Sequence, residues 1–143
     1  MSSSDDDLWD VFSRTCPSRT ALETVTSRWG MLALGALGDG PLRFNELRRR
    51  VDGVSQKMLA QALHALERDG FVHREVQTVF PLHVRYSLTD LGADTVGPLT
   101  TLIALVEQRM PAVLESRQRY DRRPAAGMPE PLPSPAGVRP SAD

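Results

Sequence analysis

The amino-acid sequence predicts a mainly α-helical fold of the α+β class, with a small β-hairpin behind a pair of helices. Two observations lead to this expectation. Residues 44–70 have the outline of a short helix, a tight turn and a longer helix. Two β-prone runs then follow, residues 71–76 and 83–88, separated by a loop that contains Pro81. A helix-turn-helix followed directly by a hairpin is the order of elements in a winged helix-turn-helix domain.

The second helix of the pair has well-defined ends and two different faces. Ser55 suits the N-cap position, and Gly70 follows the helix as a C-terminal glycine commonly does. At about 100° per residue, three leucines fall within roughly 40° of one another, whereas four long polar residues cluster on the opposite side. The leucines are Leu59, Leu63 and Leu66, and the polar residues are Lys57, Gln61, His64 and Arg68. We therefore expect one face in the core and the other in solvent.

A short N-terminal arm is expected before this domain. Residues 1–15 begin with an acidic run, and Leu8 and Phe12 mark one or two turns of an amphipathic helix. A break at a Cys-Pro pair then begins a domain that extends over residues 16–120. Within it, residues 42–44 form a brief extended link that can supply the edge strand of a small sheet.

A long apolar stripe follows the hairpin. Thr89 is the expected N-cap of a helix, Pro98 suits its continuation or the start of a new one, and Pro111 should kink or end it. On a domain that already has a core, such a stripe favours a dimer surface formed by N- and C-terminal dimerisation helices, with packing inside one subunit as the alternative. The predicted dimer interface comprises Leu8, Phe12, Leu99, Leu102, Ile103, Val106, Met110 and Val113. Residues 121–143 are proline-rich and are expected to be disordered.

Composition limits the class of protein. A chain of 143 residues is long enough for one domain with a core, and its net charge is −1. The charge is uneven, because residues 43–85 carry eight Lys and Arg against five Asp and Glu, whereas residues 1–10 carry four Asp. A single cysteine excludes an intrachain disulfide, and no apolar run approaches the ~18 residues of a membrane span. We expect a soluble cytoplasmic protein with no membrane partner.

Several short motifs occur in a fixed order along the chain. They are Cys16-Pro17, Trp29, the run from Gly40 to Arg48, the run from Val54 to Leu59, Leu63, Leu66-Glu67, the run from Asp69 to Val72, Arg74, and the run from Tyr86 to Gly92. In this combination the chain resembles the HxlR-type winged-helix transcription regulators, relatives of the MarR group. The resemblance covers residues 16–106 and implies a homodimer whose recognition helices and wings engage double-stranded DNA at a pseudo-palindromic operator. Arg85 departs from the family, which often has a glutamate before the tyrosine.

Binding to duplex DNA requires cations for the phosphates and side chains that reach base edges. The first turn of the second helix suits phosphate, because its free amides and its dipole favour anions. Gln61 and His64 are expected to reach base edges, and the Gln61 amide suits adenine. The predicted DNA-binding residues are Arg43, Ser55, Gln56, Lys57, Gln61, His64, Arg68, His83 and Arg85. For each of them, a solvated position without contact to DNA is the alternative.

Three consecutive arginines, Arg48, Arg49 and Arg50, end the first helix of the pair. They cannot all face one direction on a helix. We expect one or two of them at phosphate, and the others in solvent or paired with Glu46 or Asp52.

Cys16 has two interpretations. It lies between Arg14 and Arg19 and before a proline, a setting that lowers a thiol pKa and permits an intersubunit or mixed disulfide. Some members of the resembling family sense oxidants or electrophiles through a cysteine in this region. Alternatively, Cys16 is a small buried residue where the N-terminal arm packs on the dimer.

No pattern of catalytic or metal-binding residues is present in the sequence. The three histidines and Cys16 lack a metal-ligand spacing. A nucleophile–base pair and a phosphate-binding glycine loop are also missing. We therefore expect neither an enzyme nor a bound cofactor.

These features together predict a homodimeric, sequence-specific DNA-binding transcription regulator, with repression as the expected mode of action. Its signal is predicted to be either an oxidant or electrophile that reacts with Cys16, or a small ligand at the dimer interface. Trp29 and Met31 are the candidate pocket residues for such a ligand. The alternative is a winged-helix protein-interaction module that does not bind specific DNA.

Overall fold

A computed structural model of the chain describes residues 8–78 and 80–124. The chain divides into two compact units, Met1–Ala104 and Leu105–Asp143. The predictions made for residues 1–7, and for the proline-rich tail from 125 onwards, fall outside the described residues. In the part of the chain that is described, no helix is both long and apolar enough to cross a membrane.

The described residues form six helices and three strands. The helices are α1 (Pro17–Thr26), α2 (Arg28–Leu37), α3 (Phe44–Arg50), α4 (Gln56–Arg68), α5 (Asp90–Gln108) and α6 (Met110–Asp121), and the strands are β1 (Leu42–Arg43), β2 (Val72–Gln77) and β3 (His83–Leu88). Helices α3 and α4 are the predicted helix-turn-helix, and β2 and β3 are the predicted hairpin. The winged helix-turn-helix fold is therefore confirmed.

The three strands form one antiparallel sheet in the order β1-β3-β2. Strand β1 is the edge strand that the sequence suggested, and it pairs Leu42 with Tyr86. The Tyr86 ring also lies 6.5 Å from the ring of Phe44, the first residue of α3. Strand pairing and ring contact together attach the hairpin to the start of the helix-turn-helix.

Leucines from α2, α3 and α4 form the centre of the core. The inner face of α4 is buried, as its periodicity predicted. Six leucines with almost no solvent-accessible surface share one cluster: Leu34, Leu37, Leu47, Leu59, Leu63 and Leu66. Burial of side chains of this size stabilises a fold by about 1.5–3 kcal/mol each, so this cluster holds α4 in a fixed orientation.

Residues 8–16 form a series of turns rather than the short helix expected around Leu8 and Phe12. The Asp10 carboxylate accepts a hydrogen bond from the Phe12 N–H at 3.0 Å, and the Asp10 N–H donates to Cys16 Sγ at 3.3 Å. Such local bonds compete with helical backbone bonds. Because a segment this short also gains little from helix propagation, the helix prediction was wrong for these residues.

Two prolines have different effects on the C-terminal helices. Helix α5 continues through Pro98, which lies in its interior. The next helix, α6, begins at Met110 and has Pro111 in its first turn. At that position the missing N–H costs no helical hydrogen bond. The predicted end of the first helix near Pro111 is therefore confirmed, because α5 stops at Gln108 and Pro111 lies in the first turn of the helix that follows.

Leu99 is a correction to the predicted dimer interface. Its side chain is only 6% exposed and belongs to the core of its own chain. The reason lies on α2, where a Cβ atom on Gly35 or Gly38 would lie 3.5 Å from Ile103 or 3.0 Å from Val96, respectively. Because those two positions have no side chain, α5 packs closely on α2 and one edge of its apolar stripe turns inward.

Gly92 lies where α5 approaches the loop that follows α4. Its N–H donates to Thr89 Oγ1 at 3.0 Å, which confirms Thr89 as the N-cap of α5. A Cβ atom built on Gly92 would overlap the carbonyl oxygen of Phe71. This position therefore requires glycine for space.

Gly92→Ala is expected to destabilise the fold by about 1–3 kcal/mol, because the added methyl group forces one of two backbones to move. Gly97→Ala on the same helix is the matched control, since a Cβ there would have, apart from its own turn of helix, no atom of the described residues within 4 Å. Alanine should favour the helix at that position by up to about 1 kcal/mol. Urea unfolding at a fixed protein concentration measures both changes, and equal stability of the two variants would contradict the close approach at Gly92.

Candidate nucleic-acid interface

The N-terminus of α4 is exposed and has its backbone donors directed outward. The turn before it uses Gly53, whose φ of 86° lies in the left-handed region that favours glycine. Ser55 is the N-cap, and its Oγ accepts a hydrogen bond from the Met58 N–H at 3.0 Å. Gln56 and Lys57 are exposed in the first turn. Free amides, the positive end of the helix dipole and a lysine side chain together suit a phosphate group.

The outer face of α4 carries the four long polar side chains that the helical spacing predicted. Lys57, Gln61, His64 and Arg68 are all exposed. At 1.5 Å per residue, Arg68 lies about 16 Å along the helix from Lys57. Arg68 lines a separate cavity of about 830 Å³ together with Trp9. The structure therefore does not bring Arg68 close to the N-terminal residues of α4.

Sheet pairing brings together two arginines that are far apart in sequence. Arg43 in β1 lies directly opposite Arg85 in β3, and Arg85 lies opposite Glu75 in β2. Directly opposed residues share one face of a sheet, with Cβ atoms about 4.5–5.5 Å apart. All three side chains are exposed. Two adjacent guanidinium groups against one carboxylate leave a local positive charge that an anion would neutralise.

A cleft of about 580 Å³ separates the hairpin from the helix-turn-helix. Its lining includes residues from both sides: Arg43, Phe44, Asn45, Glu46, Arg49, Gln56, Ala60, Leu82, His83, Val84 and Tyr86. Three predicted DNA-binding residues, Arg43, Gln56 and His83, therefore surround one concave surface. Leu82 also lines the cleft, although the sequence did not single it out. The sequence does place an apolar residue here in the loop, outside both predicted strands, and that position could have indicated a role at the surface.

The cations of this surface have no carboxylate partner among the described residues. The ion pairs Arg19–Glu23 and Arg119–Glu115 lie on other parts of the molecule. Glu46 was expected to pair with one of the three consecutive arginines. Instead, its Oε1 accepts a hydrogen bond from the backbone N–H of Arg43 at 2.8 Å, because it lies three residues into α3 and can cap that helix.

The two candidate pocket residues lie in different surroundings. Trp29 is half-buried and lines a groove of about 630 Å³ with Met58 and Gln61 of α4. The Arg28 guanidinium lies 4.4 Å from the centre of the Trp29 ring. Met31 packs against the core and does not line this groove. Both side chains therefore pack against the core, and Trp29 alone of the two also lines the groove beside α4.

The Cys16 thiol is half-buried at the N-cap of α1. Its Sγ lies 3.0 Å from the Ser18 hydroxyl and accepts a hydrogen bond from the Asp10 N–H at 3.3 Å. The Ser18 hydroxyl and, to a lesser degree, the Asp10 amide stabilise the thiolate and lower the pKa of Cys16 below its ordinary value. A larger fraction of this thiol is therefore ionised near neutral pH than of an unperturbed cysteine.

A helix-turn-helix with an exposed polar second helix, flanked by a basic hairpin, defines the class of winged helix-turn-helix DNA-binding transcription regulators. The chain belongs to the HxlR-like helix-turn-helix family, whose model matches residues 24–113. The resemblance stated from the sequence is thereby confirmed.

Similarity to individual regulators extends over most of the chain. The chain is 50% identical to the HTH-type transcriptional regulator YtfH of Escherichia coli strain K12 over 108 residues, 76% of this chain and 86% of the relative. The solved structure of transcriptional regulator YtfH from Salmonella typhimurium is also 50% identical, covering 77% of this chain and 98% of its own, with a TM-score of 0.73.

The regulator YodB of Bacillus subtilis is a more distant structural relative. It has been solved in its reduced form and after diamide treatment, at 35% and 34% identity to this chain. The two structures cover 66% and 67% of this chain and 93% and 96% of their own, each with a TM-score of 0.56.

Two substitutions at Ser55 separate its structural role from a role in DNA binding. Ser55→Ala is expected to lower stability by about 1 kcal/mol, because the Met58 N–H loses its acceptor. Ser55→Asp retains a capping oxygen and should keep the stability, but its carboxylate would repel a phosphate at the helix N-terminus. Urea unfolding and gel-shift titration measure the two effects. Wild-type DNA affinity in Ser55→Asp would show that the N-terminus of α4 does not contact phosphate.

Proposed function

We propose that the chain acts as a homodimeric, sequence-specific DNA-binding regulator that represses transcription from the sites it occupies. The observation that carries this proposal is that Arg43 of the Arg43–Arg85 pair, His83 of the hairpin and Gln56 at the N-terminus of α4 line one cleft. With α4 in the major groove as the recognition helix, the wing would contact the neighbouring phosphate backbone or minor groove. A dimer that covers a promoter excludes the polymerase, which is the physical basis of repression.

The roles of individual residues follow from their positions on this surface. Ser55, Gln56 and Lys57 contact phosphate at the N-terminus of α4. Gln61 and His64 reach base edges from the middle of the exposed face, and the Gln61 amide can donate to and accept from adenine. The remaining phosphate contacts come from Arg43, His83, Arg85 and, at the far end of the helix, Arg68.

Exposed apolar side chains support the homodimer. In the first unit, Leu8, Phe12 and Leu102 are 64%, 88% and 49% exposed, and in the second unit Val106 is 48% exposed. Ile103, Met110 and Val113 are half-buried. Contiguous exposed apolar surface of this kind marks an interaction site. A two-fold interface would present both recognition helices to paired half-sites.

The signal that we propose is oxidation of Cys16. Diamide oxidises two thiols to a disulfide and is itself reduced to a hydrazine, so Cys16 would pair with its counterpart in the partner subunit or with a small thiol. The low thiol pKa and the similarity to YodB, a regulator studied in reduced and diamide-treated forms, support this choice. A small ligand bound beside Trp29 is the other candidate signal, favoured by the groove between that ring and Gln61.

The alternative function is a winged-helix protein-interaction module without specific DNA binding. Membership of a family of transcription regulators argues against it. The exposed row of Lys57, Gln61, His64 and Arg68 also argues against it, because a protein-binding face need not be long, polar and cationic.

Gel shifts with the DNA upstream of the chain's own gene, compared with random duplex DNA at two salt concentrations, test the proposal. Lys57→Ala is expected to weaken binding to both DNAs. It should also reduce the slope of log K against log salt concentration by about 1 per lost phosphate contact, whereas Lys57→Arg keeps that slope. Gln61→Ala should change the preferred base at one position, at a cost of about 1–3 kcal/mol. No shift at low salt would favour the protein-interaction module.

The reactivity of Cys16 should follow its lowered pKa. Alkylation by iodoacetamide requires the thiolate, so its rate rises with pH through that pKa. Ser18→Ala removes the strongest stabiliser of the thiolate and should move the midpoint to higher pH. Ser13→Ala is the matched control, because the Ser13 hydroxyl bonds to Thr15 and not to Sγ. Unchanged midpoints in both variants would contradict the assigned cause.

The same thiol decides the redox proposal. Diamide is expected to change the DNA affinity of the wild-type protein and to leave that of Cys16→Ser unchanged. An equal response to diamide in both proteins would exclude Cys16 as the sensor.

A further inference from the structure

The tip of the hairpin exposes apolar side chains that the fold does not use. Gln77 and His83 are the last paired residues of β2 and β3, so Phe80 and Leu82 lie in the loop between the paired strands. Within it, Phe80 is 90% exposed and Leu82 is 68% exposed. Phe80 is the most exposed large apolar side chain among the described residues. Neither residue belongs to the core cluster or packs against it.

The position of the tip relates it to the candidate DNA surface. Leu82 lines the same cleft as Gln56 at the N-terminus of α4 and Arg43 at the base of the sheet. The tip therefore extends from the side of the molecule on which the exposed amides of α4 lie. Strand β3, which leads away from the tip, carries Arg85 opposite Arg43 of β1. The apolar tip is therefore next to a positively charged part of the sheet.

We propose that Phe80 and Leu82 form an apolar wedge that enters the minor groove beside the recognition helix and opens a base step. This proposal rests on the proposed DNA-binding function and adds to it a means of bending the operator. Apolar side chains inserted from the minor groove partly unstack a step and kink the duplex by about 20–90°. The phosphates on both sides of the groove would meet the Arg43–Arg85 pair.

Charge favours DNA over a second copy of this chain as the occupant. Two hairpin tips in contact would bring two Arg43–Arg85 pairs close together. On that face of each sheet Glu75 is the single carboxylate opposite two arginines, so the two tips would repel each other. Duplex DNA instead offers the apolar faces of its stacked bases, between two rows of phosphate. The wedge also predicts a sequence preference without hydrogen bonds to bases, because pyrimidine–purine steps unstack most easily.

The test uses the full chain and a duplex selected from a random-sequence pool by binding to the wild-type protein. A 2-aminopurine base at the step next to the wing reports unstacking, and fluorescence energy transfer between the duplex ends reports bending. Wild-type protein should raise the 2-aminopurine signal and shorten the end-to-end distance. Phe80→Ala should abolish both changes and weaken binding by about tenfold, the scale of a lost base–aromatic contact. Leu82→Ala, which removes the aliphatic part of the wedge, should reduce both changes.

Two control variants separate the wedge from general damage to the hairpin. Val76→Ala removes an apolar side chain that is 45% exposed on the same hairpin, in the paired strand rather than in the loop, and should keep the bend. Phe80→Leu keeps an apolar wedge and should retain most of the unstacking signal. A loss of bending in Val76→Ala equal to that in Phe80→Ala would overturn the assignment to the tip.

The outcomes distinguish failure of the wedge from failure of the proposed function. An enriched sequence that the wild-type protein binds without bending or unstacking would overturn the wedge and leave sequence-specific binding intact. Selection that enriches no sequence would contradict the proposed function and the wedge with it. Equal bending by wild type and by Phe80→Ala would show that other contacts deform the duplex.

Discussion

Leu59, Leu63 and Leu66 anchor α4 in the core, and this contact fixes the rotation of the helix about its own axis. On a helix, once three residues of one face are buried, the directions of all the others are determined. Lys57, Gln61 and the following polar residues therefore project outward, and no hydrogen bond or ion pair within the described part of the chain holds them. The stability of the domain and the presentation of its candidate reading face depend on the same leucines, which explains how a surface of flexible side chains can have a defined orientation.

The position of the wing depends on a two-residue strand. Strand β1 joins the start of α3 to the middle of the sheet, through the pairing of Leu42 with Tyr86 and of Arg43 with Arg85. The tilted contact between the Phe44 and Tyr86 rings adds apolar packing to this junction. Without this junction, the hairpin would keep its contacts with α2 and α4 but would lose the strand pairing that links it to the start of α3.

Charge distribution reconciles a slightly acidic chain with a DNA-binding surface. The net charge of −1 includes four aspartates in the first ten residues, whereas the wing and the recognition helix carry exposed Lys and Arg without carboxylate partners in the described structure. Local potential, rather than net charge, governs encounter with a polyanion. Cys16 lies in a different local environment, a turn before α1, where a hydroxyl and an amide adjust its pKa without support from neighbouring cations.

The sequence by itself determined those features that depend on short-range periodicity and capping. It defined α4 with its buried and exposed faces, the Ser55 and Thr89 caps, the hairpin and the winged helix-turn-helix order, because each of these is encoded within a few turns or a few residues of chain. The same reasoning failed for Leu8 to Phe12, where hydrogen bonds of Asp10 outweighed a weak amphipathic pattern. Only the tertiary structure decided that Arg43 lies against Arg85, that Leu82 shares a cleft with Gln56, and that Leu99 is internal. These relations depend on strand register and on the close approach of α5 to two glycines of α2, which are contacts between distant parts of the chain that no local pattern specifies.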